Sequence, residues 1–328
     1  MKFNKNEFGW KEKVNTNELP DDLSIKNSLT VGIRIRDIGQ YSVAEGYQNT
    51  ASGITSHAEG ESTIASGECS HAEGCYTEAS GCYSHAEGEE TTASGNCSHA
   101  EGSYTTASGE CSHAEGEASN LATDIIQDLS SSTSNDDILT AWNENSFSLA
   151  KGTSSHVEGK DNLALGDFSH VEGSYSIAIG VASHVEGLGS KASGGYSHAE
   201  GNGTTADGMC SHAEGDSTKA SSENQHVQGK YNIEDTENKY AHIVGNGEYN
   251  YNTEEEVRSN AHTLDWQGNA WYQGKLSQDG VPTEDKDLTT KKYVDDAIAS
   301  QPQISFDTEG NLVVTIGGVT KKFKEITE

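Results

Sequence analysis

Histidine and glutamate recur in this chain in the arrangement H-x-E-G, at a spacing of fourteen residues. The histidines stand at His57, His71, His85, His99 and His113, then at His156, His170, His184, His198 and His212. Each is followed two residues later by a carboxylate: Glu59, Glu73, Glu87, Glu101 and Glu115, then Glu158, Glu172, Glu186, Glu200 and Glu214. An imidazole two residues from a carboxylate can act as an acid–base pair, a metal ligand pair or a hydrogen-bonded pair at an interface. Catalysis and metal ligation call for one distinct site with a supporting shell, and ten equal copies single none out. A solvated outer face is the third possibility. The pair, however, persists in ten coils while neighbouring positions vary freely (Ile64, Glu78, Thr92, Lys191, Lys219). The expectation is therefore a polar subunit interface in which each imidazole bonds a carboxylate of its own or a neighbouring chain, with no catalytic residue, cofactor or metal.

The unit that positions the pair reads S-H-A-E-G-x-x-T-x-A-S-G-x-x, two short alternating half-repeats each closed by glycine. Alternation sends Ala58 to one face of a strand and His57 with Glu59 to the other. A second alanine column runs through Ala51, Ala65, Ala79, Ala93 and Ala107, and resumes at Ala150. Two facing alanine columns predict a thin two-strand coil, turning at glycines such as Gly60 and Gly67. The ends are imperfect, with Val43 in the histidine column of "SVAEG" and Gln228 in place of glutamate in "QHVQG", as capping coils require.

Composition alone, with 32% hydrophobic and 7% aromatic residues, would suggest disorder, but the strict periodicity takes precedence and marks a repeat protein. The chain has 328 residues, a formal net charge of −31, 36 glycines and three prolines. Such acidity argues against nucleic acid or an anionic membrane as partner. The opening "MKFNKNEFGWKEKV" lacks the apolar run of a secretory signal, and no segment is long and apolar enough to span a membrane as a helix. Four of six cysteines (Cys69, Cys97, Cys111, Cys210) share one repeat column, which predicts free thiols used as small apolar side chains rather than a disulfide framework.

The segment "TTASGNCSHAEG", residues 91–102, resembles the head repeats of trimeric autotransporter adhesins (YadA-like), whose pattern runs roughly A-x-A-x-G-x-x-S-V-A-I-G, with histidine and glutamate here replacing valine and isoleucine. The resemblance spans residues 42–229. It implies an all-β, left-handed parallel β-roll in a homotrimer, with the histidine half facing the three-fold axis. By that carry-over, the twenty histidines and glutamates named above line the subunit contact.

Ser119 and Ser148 read as equivalent positions of consecutive coils separated by an insertion, about residues 120–147, an extruded subdomain carrying Ile125, Ile126, Leu129, Trp142 and Phe147. Directly after it the second half-repeats turn apolar, at Leu163, Leu165, Ile177 and Ile179, and the insertion is the nearest candidate to cover them. The alternative is that this half faces the axis and the histidines face water.

The remaining organisation reads as an N-terminal attachment segment over 1–40, β-roll repeats over 41–229, a roll-closing β segment over 230–280, a short helix over 281–301, a candidate trimeric coiled coil, and a β meander over 302–328. Both "RSNAHTLDWQGNAWYQG" and "TTKKYVDDAI" resemble stretches of bacteriophage and prophage tail fibres. That resemblance implies a virion protein assembled in the bacterial cytoplasm. The N-terminal segment would hold phage tail or baseplate proteins, and another part would hold a bacterial surface receptor. A surface adhesin would be expected to carry a secretory signal and a membrane barrel segment. A polysaccharide-degrading fibre would be expected to show one local acid cluster instead of a uniform column.

Overall fold

The computed structural model of the chain describes residues 29–34, 38–119, 134–145, 147–274, 301–316 and 318–324. The attachment segment falls largely outside these residues, as do Ile125, Ile126, Leu129 and the helix expected over 281–301. The chain divides between Trp271 and Tyr272 into two units.

The first unit is a parallel β-solenoid of about 13 turns with fourteen-residue spacing. One sheet stacks the histidine strands in register, His57 beside His71 and Gly60 beside Gly74. The other stacks the short strands of the second half, Ala65 beside Ala79. Inward alternation fills the space between the sheets with the two alanine columns, relieved by Val157, Val171, Val185 and Val227, all fully buried. Small side chains are what let the two sheets approach so closely.

Stacking at this distance explains both glycine columns, in different ways. Gly74 has φ of +109°, and a Cβ there would lie 2.1 Å from the carbonyl oxygen of Gly88. Gly67 has no positive φ, yet its Cβ would lie 1.9 Å from the oxygen of Gly81. The left-handed residue at that corner is instead the second after the glycine. Cys69, Cys97, Cys111 and Cys210 occupy it with φ of 55–56°; they are free thiols, as expected, and stand exposed. The corner is closed in most coils by the buried serine before the histidine: the Ser70 and Ser84 hydroxyls donate to Gly67 O and Gly81 O at 2.8 and 2.7 Å.

The insertion lies within one coil rather than between two. His113 pairs with His156 and Thr106 with Leu149, so both sheets continue across it without a gap. Its described part is a helix, Asn135–Asn145. Ser134 caps it, its hydroxyl accepting from the Asp137 amide at 3.2 Å and donating to the Asp137 carboxylate at 2.6 Å. Asp136 and Asp137 in the first turn suit the positive end of the helix dipole.

The roll extends beyond the histidine repeat at both ends. Leu29–Arg34 pairs in parallel with the next coil, Leu29 beside Val43 and Gly32 beside Gly46. At the far end Tyr240–Asn246 adds one more parallel strand, and Asn260–Asp265 closes it in antiparallel fashion. The turn after Asp265 is tied by its carboxylate, which accepts from the Asn269 amide at 2.7 Å and side chain at 2.8 Å.

The second unit holds a three-stranded antiparallel sheet, Gln303–Phe306, Leu312–Ile316 and Val319–Phe323. Its first turn repeats the same Asp-x-x-Gly-Asn clasp, with Asp307 accepting from the Asn311 amide at 2.9 Å and from its side chain at 3.0 Å. Its apolar side chains Ile304, Phe306, Val319 and Phe323 are all more than half exposed.

Candidate functional site: a histidine and glutamate ladder

In-register stacking turns the H-x-E pair into two continuous columns on the outer side of one sheet. The imidazoles of His57 to His226 form an unbroken pile of eleven rings, with centroids 4.7–4.9 Å apart and planes within 12° of parallel. The pile crosses the insertion unchanged, His113 lying 4.8 Å from His156. The glutamates run beside it, and with their glycines line an open groove over the coils of Glu59 to Glu158 that continues to Glu200. All ten predicted pairs therefore belong to one surface.

At His71, His99 and His198 the ring lies between two carboxylates, that of its own coil and that of the coil before. The Nε2 of His71 lies 3.5 Å from Glu59 and 4.0 Å from Glu73. For His99 the distances are 3.6 Å to Glu87 and 3.9 Å to Glu101. Apart from His226 with Glu214, at 3.3 Å, these separations are longer than a good hydrogen bond. From His57 to His212 the Nε2 atoms are shut off from solvent and lack a hydrogen-bond partner. About a third of each side chain is still exposed, 35% for His85 and His99.

Burial, and next the neighbouring imidazoles, push His85, His113, His170 and His198 below the ordinary histidine value, against the opposing pull of the glutamates. Burial therefore favours the neutral form of these four rings.

The opposite sheet is covered in its middle coils. Ile138, Trp142 and Phe147 pack with Leu149, Leu163 and Leu165 in a second buried cluster, and Leu139, Ile177 and Ile179 lie against it. The Trp142 indole donates to Phe147 O at 3.0 Å. The described part of the insertion is thereby folded onto the roll, not extruded from it.

Sequence reading missed the last members of the pile. His242 continues the stack, tilted, 5.2 Å from His226, and His262 lies 5.6 Å beyond it. The signal was available in "HIVG", which keeps the histidine and glycine of the motif, but at a spacing of sixteen from His226 rather than fourteen.

Two stretches, residues 86–109 and 158–183, match the YadA head domain repeat. No curated protein matches the chain. The roll is built of YadA-like head repeats, a fold that is typically structural or adhesive and whose head domains typically form homotrimers.

Proposed function

We propose that this chain is a homotrimeric, receptor-binding fibre of a phage, prophage or phage-like particle. In it the histidine and glutamate columns pack against those of the other two subunits. The observation that carries the packing is the asymmetry of the roll. The helix Asn135–Asn145 occupies the middle of the opposite face, over Leu149, Leu163 and Leu165, while the histidine face carries ten imidazole nitrogens without partners. Buried polar groups in a finished assembly are paired, so that face is the one that calls for a partner. The alanine core adds a second argument, because it buries little apolar area per coil and association supplies what the single roll lacks.

The phage assignment rests on the tail-fibre-like stretches at residues 258–274 and 289–298. Anchoring to the particle by residues 1–40 and host recognition elsewhere follow from the same reading. The decisive experiment is light scattering on the purified chain together with adsorption to candidate host cells. Three chains per particle and saturable adsorption that blocks infection are expected. A monomer sinks the assembly, and a trimer displayed on the bacterial surface instead of a particle favours an adhesin.

A further inference from the structure

The His–Glu separations along the ladder are awkward for hydrogen bonding and suited to something else. Around a tetrahedral zinc-type ion with bonds of about 2.0–2.1 Å, two ligand atoms stand about 3.3–3.5 Å apart. The ladder places Nε2 3.5 Å from Glu59 in the coil of His71, 3.6 Å from Glu87 in that of His99, and 3.7 Å from Glu73 in that of His85. Glu73, His85 and Glu87 offer ligand atoms that all lie within 4.8 Å of one another, and elsewhere on the ladder, as at His57, Glu59 and His71, one glutamate lies within the same distance of the imidazoles of two successive coils. The same Nε2 atoms are withdrawn from water and unpartnered.

We propose that the ladder binds divalent cations of the zinc class, each held by one imidazole Nε2 and by the carboxylates of its own and the preceding coil. Neutral imidazole with two carboxylates is a borderline-soft nitrogen and oxygen set that suits such an ion better than calcium or magnesium, which prefer oxygen alone. A fourth position is open to water or to a group from outside the chain. Parallel stacking decides how the ions are shared. Successive rings are parallel and stand 4.8–4.9 Å apart, wider than the about 3.3–3.5 Å between two ligand atoms of one tetrahedral ion, so each ion is assigned a single ring. Ions in successive coils would stand about 4.8 Å apart and repel strongly, whereas one ion per two coils balances two carboxylates. Ten coils then take about five ions per chain.

This site uses residues of one chain only and does not rest on the trimer. The test is a calorimetric titration of the full-length protein, all six cysteines replaced by serine, with zinc chloride and with magnesium chloride as control. Light scattering on the same samples reports assembly separately. About five zinc ions per chain, no magnesium binding and a melting temperature raised by several degrees are expected. Replacing His71, His85, His99 and His113 by Gln should lower the zinc count by about two, and Thr92→Ala should leave it unchanged. Should the fourfold variant not fold, the zinc X-ray absorption spectrum of the parent decides, through the outer-shell scattering of bound imidazole. No zinc uptake, an unchanged count in the folded fourfold variant, or a spectrum without imidazole overturns the proposal.

Discussion

His85 and Thr92 are neighbours in one coil with opposite expected weight. His85 stands in the uncovered ladder, its Nε2 without a partner in the single chain, while Thr92 lies half-exposed on the other sheet. If the ladder is the subunit contact, His85→Ala removes a buried polar partner in three copies, each costing about 1–3 kcal/mol. Thr92→Ala should stay within about 0.5 kcal/mol. Trimer melting at one protein concentration separates them, and a larger loss from Thr92→Ala reverses the orientation of the roll. The glycines show the other kind of constraint at this scale. Gly67 and Gly74 exclude a Cβ because the next coil's backbone is already there, which is why both columns hold even where φ is ordinary.

Among the elements, the inserted helix is the one whose removal has a defined consequence. Trp142 is nearly buried against the roll and bonds Phe147 O. Trp142→Ala should cost about 3 kcal/mol and uncover Leu149, Leu163 and Leu165, seen as a lower melting temperature and raised binding of an apolar-surface dye. A variant that melts and binds dye like the parent would show that the helix does not cover this face. The Asp307 turn makes a prediction in pH. Its carboxylate is held well below the ordinary value of about 4 by the Asn311 side chain, the Asn311 amide and Lys322, whose Nζ is 3.1 Å away. A depressed carboxylate stabilises the folded turn above its unfolded pKa, and this contribution is lost as pH falls through the folded value. The protection factor of the Asn311 amide, its exchange relative to the intrinsic rate at each pH, should therefore fall under acid, and Asp307→Asn should remove that dependence.

For the molecule as a whole, the proposed trimer bears on the C-terminal sheet. Among the described residues the C-terminal sheet leaves Ile304, Phe306, Val319 and Phe323 open, and a small sheet with an uncovered apolar face is marginal in water. In the proposed trimer that sheet is covered by other copies. Phe306→Gln should then lower the trimer's melting temperature and raise the fraction of monomer in sedimentation. An unchanged trimer would place the sheet's apolar face elsewhere.

The fourteen-residue period, the two alanine columns and the glycine spacing by themselves determined a parallel two-sheet roll, because stacked strands repeat a side chain in the same place every coil. The same logic put all ten His–Glu pairs on one surface before any coordinates. Other features were decided only in three dimensions, since they depend on contacts between residues that the period does not relate. The insertion folds back onto Leu149 and Leu163 within a single coil. Leu29–Arg34 and Tyr240–Asn246 extend the sheet although their sequences barely carry the motif, since backbone pairing asks for register and not for side-chain identity. The distances inside the ladder belong to the same class. Sequence names an imidazole and a carboxylate two residues apart, but only the stacking of one coil on the next brings an Nε2 such as that of His71 between two glutamates.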